Sequence, residues 1–309
     1  MSFVQTVSGK IKPEEMGVTY GHEHLLFCPP SPVNAEDPDM QLLQVDKAIQ
    51  EVNYFKLAGG QCVVEMSTVE MGRSPEGMEA ISKVTGIHII AATGFNKGRF
   101  CDPYVADKSL DQIVAEIVHD LMQGMDATGI KAGLIKASSS KDHMTPGEEK
   151  IFQAAAKAHL QTGAPVSTHT EAGTFALEQI QRLTGADVKP EHIIIGHLDR
   201  KLEWDYLHAV AETGVFMGFD QLSKEKYFPD PERISMIKQL IEAGHGRQIM
   251  LSGDLARMSY WPSYGFGKGP GLTYILWRFV PWMLETGISK EAVDDILVKN
   301  PSRAFAWNV

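Results

Sequence analysis

Short apolar runs of β type alternate with longer helical patterns along the whole chain. Strand-like runs fall near 17–22, 61–66, 87–93, 130–136, 165–169, 192–197, 214–220 and 248–254. Several are continuously apolar, such as Ile193-Ile194-Ile195, as strands buried on both faces are. Helical patterns lie between them at 45–57, 75–84, 110–124, 146–162, 174–183, 204–212 and 231–243. Two more, at 273–286 and 290–298, follow the last strand. Several of these open with proline or an acidic first turn and close at glycine, as at Gly86, Gly163, Gly185 and Gly244.

Eight strands, each followed by a helix, predict an α/β fold, a (β/α)8 TIM barrel with an additional C-terminal helix. A doubly wound sheet is the alternative. No repeat or linker divides the chain, so residues 1–309 are expected to form one barrel domain. The longest irregular pieces are 28–40, 94–108, 221–230 and 255–271, and all follow strands. A barrel gathers such pieces around one mouth, where active sites form.

Composition narrows the choice of partners. The 309 residues are 43% hydrophobic and 22% charged, an ordinary soluble globular balance. With 29 Lys+Arg against 39 Asp+Glu, the net charge of −10 disfavours nucleic acid and anionic membrane as general partners. An anionic substrate would need a local cationic pocket. No apolar run reaches membrane-spanning length, and the opening residues lack a secretory pattern. Cys28, Cys62 and Cys101 are too widely spaced for a zinc site or a disulfide framework, so a reducing cytoplasm is expected.

The strongest local signal is His22-Glu23-His24 at the end of the first predicted strand. Alternate side chains of a strand share a face, so His22 and His24 point together and Glu23 points away. Two imidazoles on one side make a metal clamp. His169, His197 and Asp254 are expected to end further strands, and Lys136 a fourth. The successive intervals, Lys136 to His169, His169 to His197 and His197 to Asp254, are 33, 28 and 57 residues. They approximate one, one and two βα units of about 31 residues. All would then meet at one level of one mouth.

A protonated lysine does not belong beside divalent cations. Buried near positive charge, Lys136 would lose its proton and become a nucleophile able to capture carbon dioxide as a carbamate. That carbamate would act as a bridging carboxylate. Lys131 faces the other side and is the poorer candidate. The remaining histidines, His88, His119, His143, His159, His192, His208 and His245, are read as structural or solvated.

These motifs resemble the phosphotriesterase family of the amidohydrolase superfamily: His22-Glu23-His24, Lys136, Thr168-His169-Thr170, Gly196-His197 and Gly253-Asp254. The resemblance implies a binuclear centre of two divalent metal ions, zinc foremost, with manganese or cobalt as alternatives. His22, His24 and Asp254 would hold one ion and His169 and His197 the other, with carbamylated Lys136 between them. Two cations sharing a hydroxide supply a nucleophile near neutral pH, and Asp254 would act as acid and base.

Organophosphate-degrading members carry a histidine just after the seventh-strand aspartate. Here Asp220 is followed by Gln221, whose amide cannot shuttle a proton. A lactone needs less from such a relay, because its leaving alkoxide stays tethered. The loops after the last two strands hold Lys224, Lys226, Tyr227, Arg257 and Tyr260, chemistry suited to a phosphate monoester. By resemblance to the phosphorylated-sugar lactonase branch, Lys226, Arg257 and Tyr260 would bind that phosphate, with Lys224 competing for the role.

The expected activity is therefore hydrolysis of a phosphorylated furanose lactone. The alternatives are an N-acyl-homoserine lactonase, with Trp261, Phe266 and Phe228 lining a greasy channel, and a phosphotriesterase or carboxylesterase. The non-enzymatic alternative is a catalytically dead metal-binding barrel. Trp261, Phe279 and Trp282 are candidates for a homodimer surface.

Overall fold

The computed structural model describes residues 2–265 and 267–307. An antiparallel hairpin, β1 (Val4–Thr6) and β2 (Gly9–Ile11), leads into eight parallel strands. These are β3 (Thr19–Glu23), β4 (Cys62–Glu65), β5 (His88–Gly94), β6 (Leu134–Ser139), β7 (Val166–Thr170), β8 (Ile193–Gly196), β9 (Phe216–Phe219) and β10 (Ile249–Leu251). Each pairs with the next in chain order, and helices flank the sheet: a (β/α)8 TIM barrel.

The seam between β3 and β10 is closed largely by side-chain bonds. Ser252 Oγ donates to the His22 carbonyl at 2.7 Å, and Asp254 N to the same oxygen at 3.2 Å. Glu23, turned away from the histidines, accepts from Gly253 N at 2.7 Å and Leu255 N at 2.9 Å. The acidic residue of the His-Glu-His motif therefore stitches first strand to last.

Two apolar layers follow the strand period of two. Cys62, Val64, Ile90, Ala92 and Ile194 belong to the barrel interior. Their neighbours Val63, Ile89, Ala91, Ile193 and Ile195 pack in the outer layer against the helices. Val4 of the hairpin and Ala304 and Phe305 of the C-terminal segment join the inner cluster. The barrel floor is thus plugged, and the interior opens at the C-terminal mouth. No helix among the described residues is long and apolar enough to cross a membrane.

Several expectations need correction. The hairpin and a helix at Gly98–Val105, inside the expected loop 94–108, carried too short a pattern to be read. The fourth barrel strand starts at Leu134 rather than near residue 130. Gly133 lies against the Gln5 backbone, which leaves no room there for a side chain. Because the strand runs on to Ser139, Lys136 sits in mid-strand, two rungs below Ser138, the partner of His169, or about 6.6 Å down the strand. Its long stem recovers that height.

Trp261 and Phe279 are fully buried and cannot form a dimer surface, whereas Trp282 is partly exposed. Trp261 instead donates its indole N–H to the Leu255 carbonyl at 2.9 Å, bracing the last loop. Phe266, invoked for an acyl channel, lies outside the described residues.

Candidate active site

The six strand-borne candidates converge. His22, His24, Lys136, His169, His197 and Asp254 line one cavity of about 250 Å³ at the mouth. Ring centroids of His22 and His197 are 4.6 Å apart, those of His169 and His197 4.4 Å, and those of His22 and His24 5.9 Å. Asp254 Oδ1 lies 3.3 Å from His24 Nε2 and 3.9 Å from His22 Nε2. His197 and Asp254 both take left-handed backbone, with φ of 61° and 46°. For non-glycine residues this costs of order 1–3 kcal/mol each, and such strain gathers at functional sites.

The imidazoles are oriented from behind. His24 Nδ1 donates to Ser67 Oγ at 2.9 Å, and Ser67 donates on to Glu65 at 2.6 Å. His197 Nδ1 donates to Asp220 Oδ1 at 2.6 Å, and His22 Nδ1 stands 3.4 Å from Asp220 Oδ2. Fixing Nδ1 in this way leaves Nε2 as the free lone pair, the usual preparation of a metal-ligating histidine. His22 Nε2 and His169 Nε2 are buried with no hydrogen-bond partner among the described residues. Buried polar atoms are seldom left unpaired, and a cation is the partner that fits lone pairs aimed together into one cavity.

Electrostatics agrees with this donor set. Burial holds His24 down to about 4, and holds His22 and His169 well below the ordinary histidine value. All three are therefore neutral near pH 7, as ligands must be. Burial opposes ionisation of Asp254, but Lys224 and the surrounding histidines outweigh it and keep the carboxyl well below the usual range. Lys136 is 1% exposed, and burial lowers its pKa against four nearby carboxylates. Its Nζ donates to the Met66 carbonyl at 2.9 Å.

Three residues named in the sequence take roles there that the pattern did not assign. Asp220 anchors two histidines, and its place at the end of the predicted seventh strand was the signal for it. Gln221 Nε2 donates to Asp254 Oδ2 at 2.6 Å, so this residue positions the carboxylate where it cannot titrate. Lys224 Nζ donates to the same oxygen at 3.0 Å and to the Asp254 carbonyl at 2.6 Å. That buried lysine is committed to Asp254, which separates it from Lys226.

At the outer mouth, Lys226 Nζ lies 3.2 Å from Tyr260 Oη. Arg257 is bound by Asp37 at 2.7 Å and Asp39 at 3.4 Å, both from the loop after β3. The helix missed in 94–108 contributes Arg99, which lines the cavity and has no carboxylate within ion-pairing distance among the described residues. Lys97 also lines it, paired with Glu171.

A barrel whose strand ends gather four imidazoles, a buried lysine and an ionised aspartate defines a metal-dependent hydrolase acting on ester bonds. Residues 2–305 match the phosphotriesterase family, and the chain belongs to that family. Enzymes of this family use a binuclear divalent metal centre. The chain is 35% identical over 327 residues to a phospho-furanose lactonase of Mycoplasmopsis synoviae (strain 53), covering 99% of this chain and 92% of that one. A crystal structure of a lactonase from Listeria monocytogenes superposes with a TM-score of 0.95 at 36% identity, over 99% of this chain and 100% of that one. The phosphotriesterase homology protein of Escherichia coli, solved with phosphate in its active site, gives 0.90 and 36%, over 94% of this chain and 99% of that one.

Proposed function

We propose that residues 1–309 form one hydrolase domain that opens a lactone ring, and that its substrate is a phosphorylated furanose lactone. The observation that carries this reading is the approach of Lys226 to Tyr260 on loops bordering the metal cavity, with Arg257 three residues past Asp254. Lys226, Arg257 and Tyr260 bind the phosphate, and Lys224 does not, being held by Asp254. The phospho-furanose lactonase relative and the phosphate in the Escherichia coli structure support the same reading.

His22, His24 and Asp254 would hold one divalent ion and His169 and His197 the other, and Lys136, as a carbamate, would complete the donor set. Zinc suits this set of nitrogen and oxygen donors, with manganese and cobalt as substitutes. When bound, such a pair lowers the pKa of water and polarises the ester carbonyl. Asp254 takes the proton of the attacking water at its carboxylate and returns it to the ring oxygen as the ester bond breaks. Gln221 and Lys224 fix Oδ2 during that exchange. Because the alkoxide stays tethered in the opened ring, Asp254 suffices as proton donor and no histidine relay is required. Three free cysteines fit a reducing cytoplasm.

One observation favours a second reading. Phe27, Val33, Met40, Met71 and Phe100 line the same cavity, an apolar surface suited to the acyl chain of an N-acyl-homoserine lactone. A panel of phosphorylated furanose lactone, its dephosphorylated analogue, acyl-homoserine lactones and paraoxon, assayed on one metal-loaded preparation, separates the readings. The phosphorylated lactone is expected to give the highest kcat/KM. A preference for acyl lactones overturns the phosphate assignment, a preference for paraoxon overturns the argument from Gln221, and no turnover of any leaves an inert barrel.

A further inference from the structure

We infer a second cation site, for a transition-metal dication such as zinc, formed by His208, Glu212 and His245 at the end of the barrel opposite the mouth. His208 and Glu212 are one helical turn apart on Trp204–Glu212 and share a face. That helix leads into β9, and His245 leads through Gly246–Gln248 into β10. The cluster therefore lies at the N-terminal ends of two adjacent strands.

The spacing fits a small tetrahedral ion. His245 Nε2 is 3.2 Å and His208 Nε2 3.7 Å from Glu212 Oε1, and the three donor atoms lie within 4.8 Å of one another. Zinc bonds of about 2.0–2.2 Å in tetrahedral array place neighbouring donors roughly 3.3–3.6 Å apart.

A second observation sets the proton on His245. Gln248 Nε2 donates to the carbonyls of Ala211 at 2.8 Å and Val215 at 2.9 Å, which fixes the amide orientation. Its Oε1 therefore faces His245 Nδ1 at 3.0 Å, and Nδ1 must be the donor. In the neutral ring this leaves a lone pair on Nε2 aimed at a carboxylate oxygen, an arrangement that a shared cation resolves. Donation from the far nitrogen to an amide oxygen is how metal-bound histidines are commonly held. His208 is held too, stacked on Trp204 with centroids 5.0 Å apart and planes at 27°. Imidazole with carboxylate selects zinc, cobalt, nickel or copper over magnesium or calcium. The fourth position falls to water, and the ion ties two consecutive barrel units together.

Calorimetric titration of enzyme already loaded at its mouth, with zinc as the probe, tests the assignment. Metal counting after gel filtration accompanies it, on wild type, His245→Ala and Glu212→Gln. The expected result is one more zinc per chain in the wild type than in either variant, with affinity at least tenfold weaker in both and a melting temperature that zinc raises only in the wild type. Equal zinc content in all three proteins, or no uptake beyond the mouth up to millimolar zinc, overturns the site. The approach of His245 to Glu212 would then be a plain polar contact at the surface.

Discussion

Six candidate residues stand on the barrel strands or just beyond their ends, and three stand on loops; the two groups are held differently. Behind His22, His24, His197 and Asp254 lie buried partners: Asp220, Ser67, Glu65, Gln221 and Lys224. Bonds of this kind are short, desolvated and costly to break. Lys226, Arg257 and Tyr260 are held at the surface, by one lysine–phenol contact and two ion pairs to Asp37 and Asp39. Exposed pairs contribute little and exchange readily for another anion. On the proposed reading, rigid geometry serves bond breaking and adaptable geometry serves substrate choice.

Substitution at the rigid rim should have the largest effect. Asp254→Asn is expected to lower kcat on any accepted lactone by about a thousandfold, the range of lost acid–base catalysis, with the folded circular dichroism spectrum retained. A rate within tenfold of wild type removes Asp254 from that role. Asp220→Asn leaves every proposed ligand in place yet should weaken metal retention about 10- to 100-fold, read by competition with a chelator. Undiminished retention means the histidines hold their orientation without it.

The loop rim should respond selectively. Arg257→Ala should cost about 10- to 100-fold in kcat/KM on a phosphorylated lactone, the loss of a charge-assisted bond, and little on its dephosphorylated analogue. Equal losses on both would show that Arg257 does not read phosphate. Asp37→Asn frees the same guanidinium, so KM for the phosphorylated substrate should fall about two- to fivefold, in keeping with the modest strength of exposed pairs. A rise in KM would mean that Asp37 orients Arg257 rather than competing for it.

The smallest effect concerns the metal-free protein in mild acid. His24, held near 4 by burial, is protonated first in the unfolded chain, so it costs stability as pH falls below about 6.5. Glu23 has the opposite sign. Burial raises it to about 7, so its folded form keeps the proton longer, and its contribution is greatest below about 4.5 and lost as pH rises towards 7. Glu23→Gln should therefore make the melting temperature fall more steeply between pH 7 and 5. An unaltered slope would show that Glu23 does not titrate in that range.

Much of the rigid rim was legible in the sequence because a strand has a fixed period and a barrel a fixed repeat. His22-Glu23-His24 states which side chains face together, and the 28 residues from His169 to His197 state that one βα unit separates them. Lys136 was legible as a residue but not as a height, since pairing with β7 carries β6 three residues past it, to Ser139. Asp220 carried a positional signal that composition could not distinguish from an ordinary strand-end aspartate.

The chain pattern alone determined the barrel, its mouth and the residue types that meet there, because periodicity is a local property. Only the folded molecule decided that Lys224 serves Asp254 while Lys226 meets Tyr260, that Arg257 is occupied by Asp37 and Asp39, and that Arg99 enters the cavity. The physical reason is that loop side chains take no register from a backbone repeat. Their partners come from segments as far apart as residues 37 and 257, brought together only when the barrel closes.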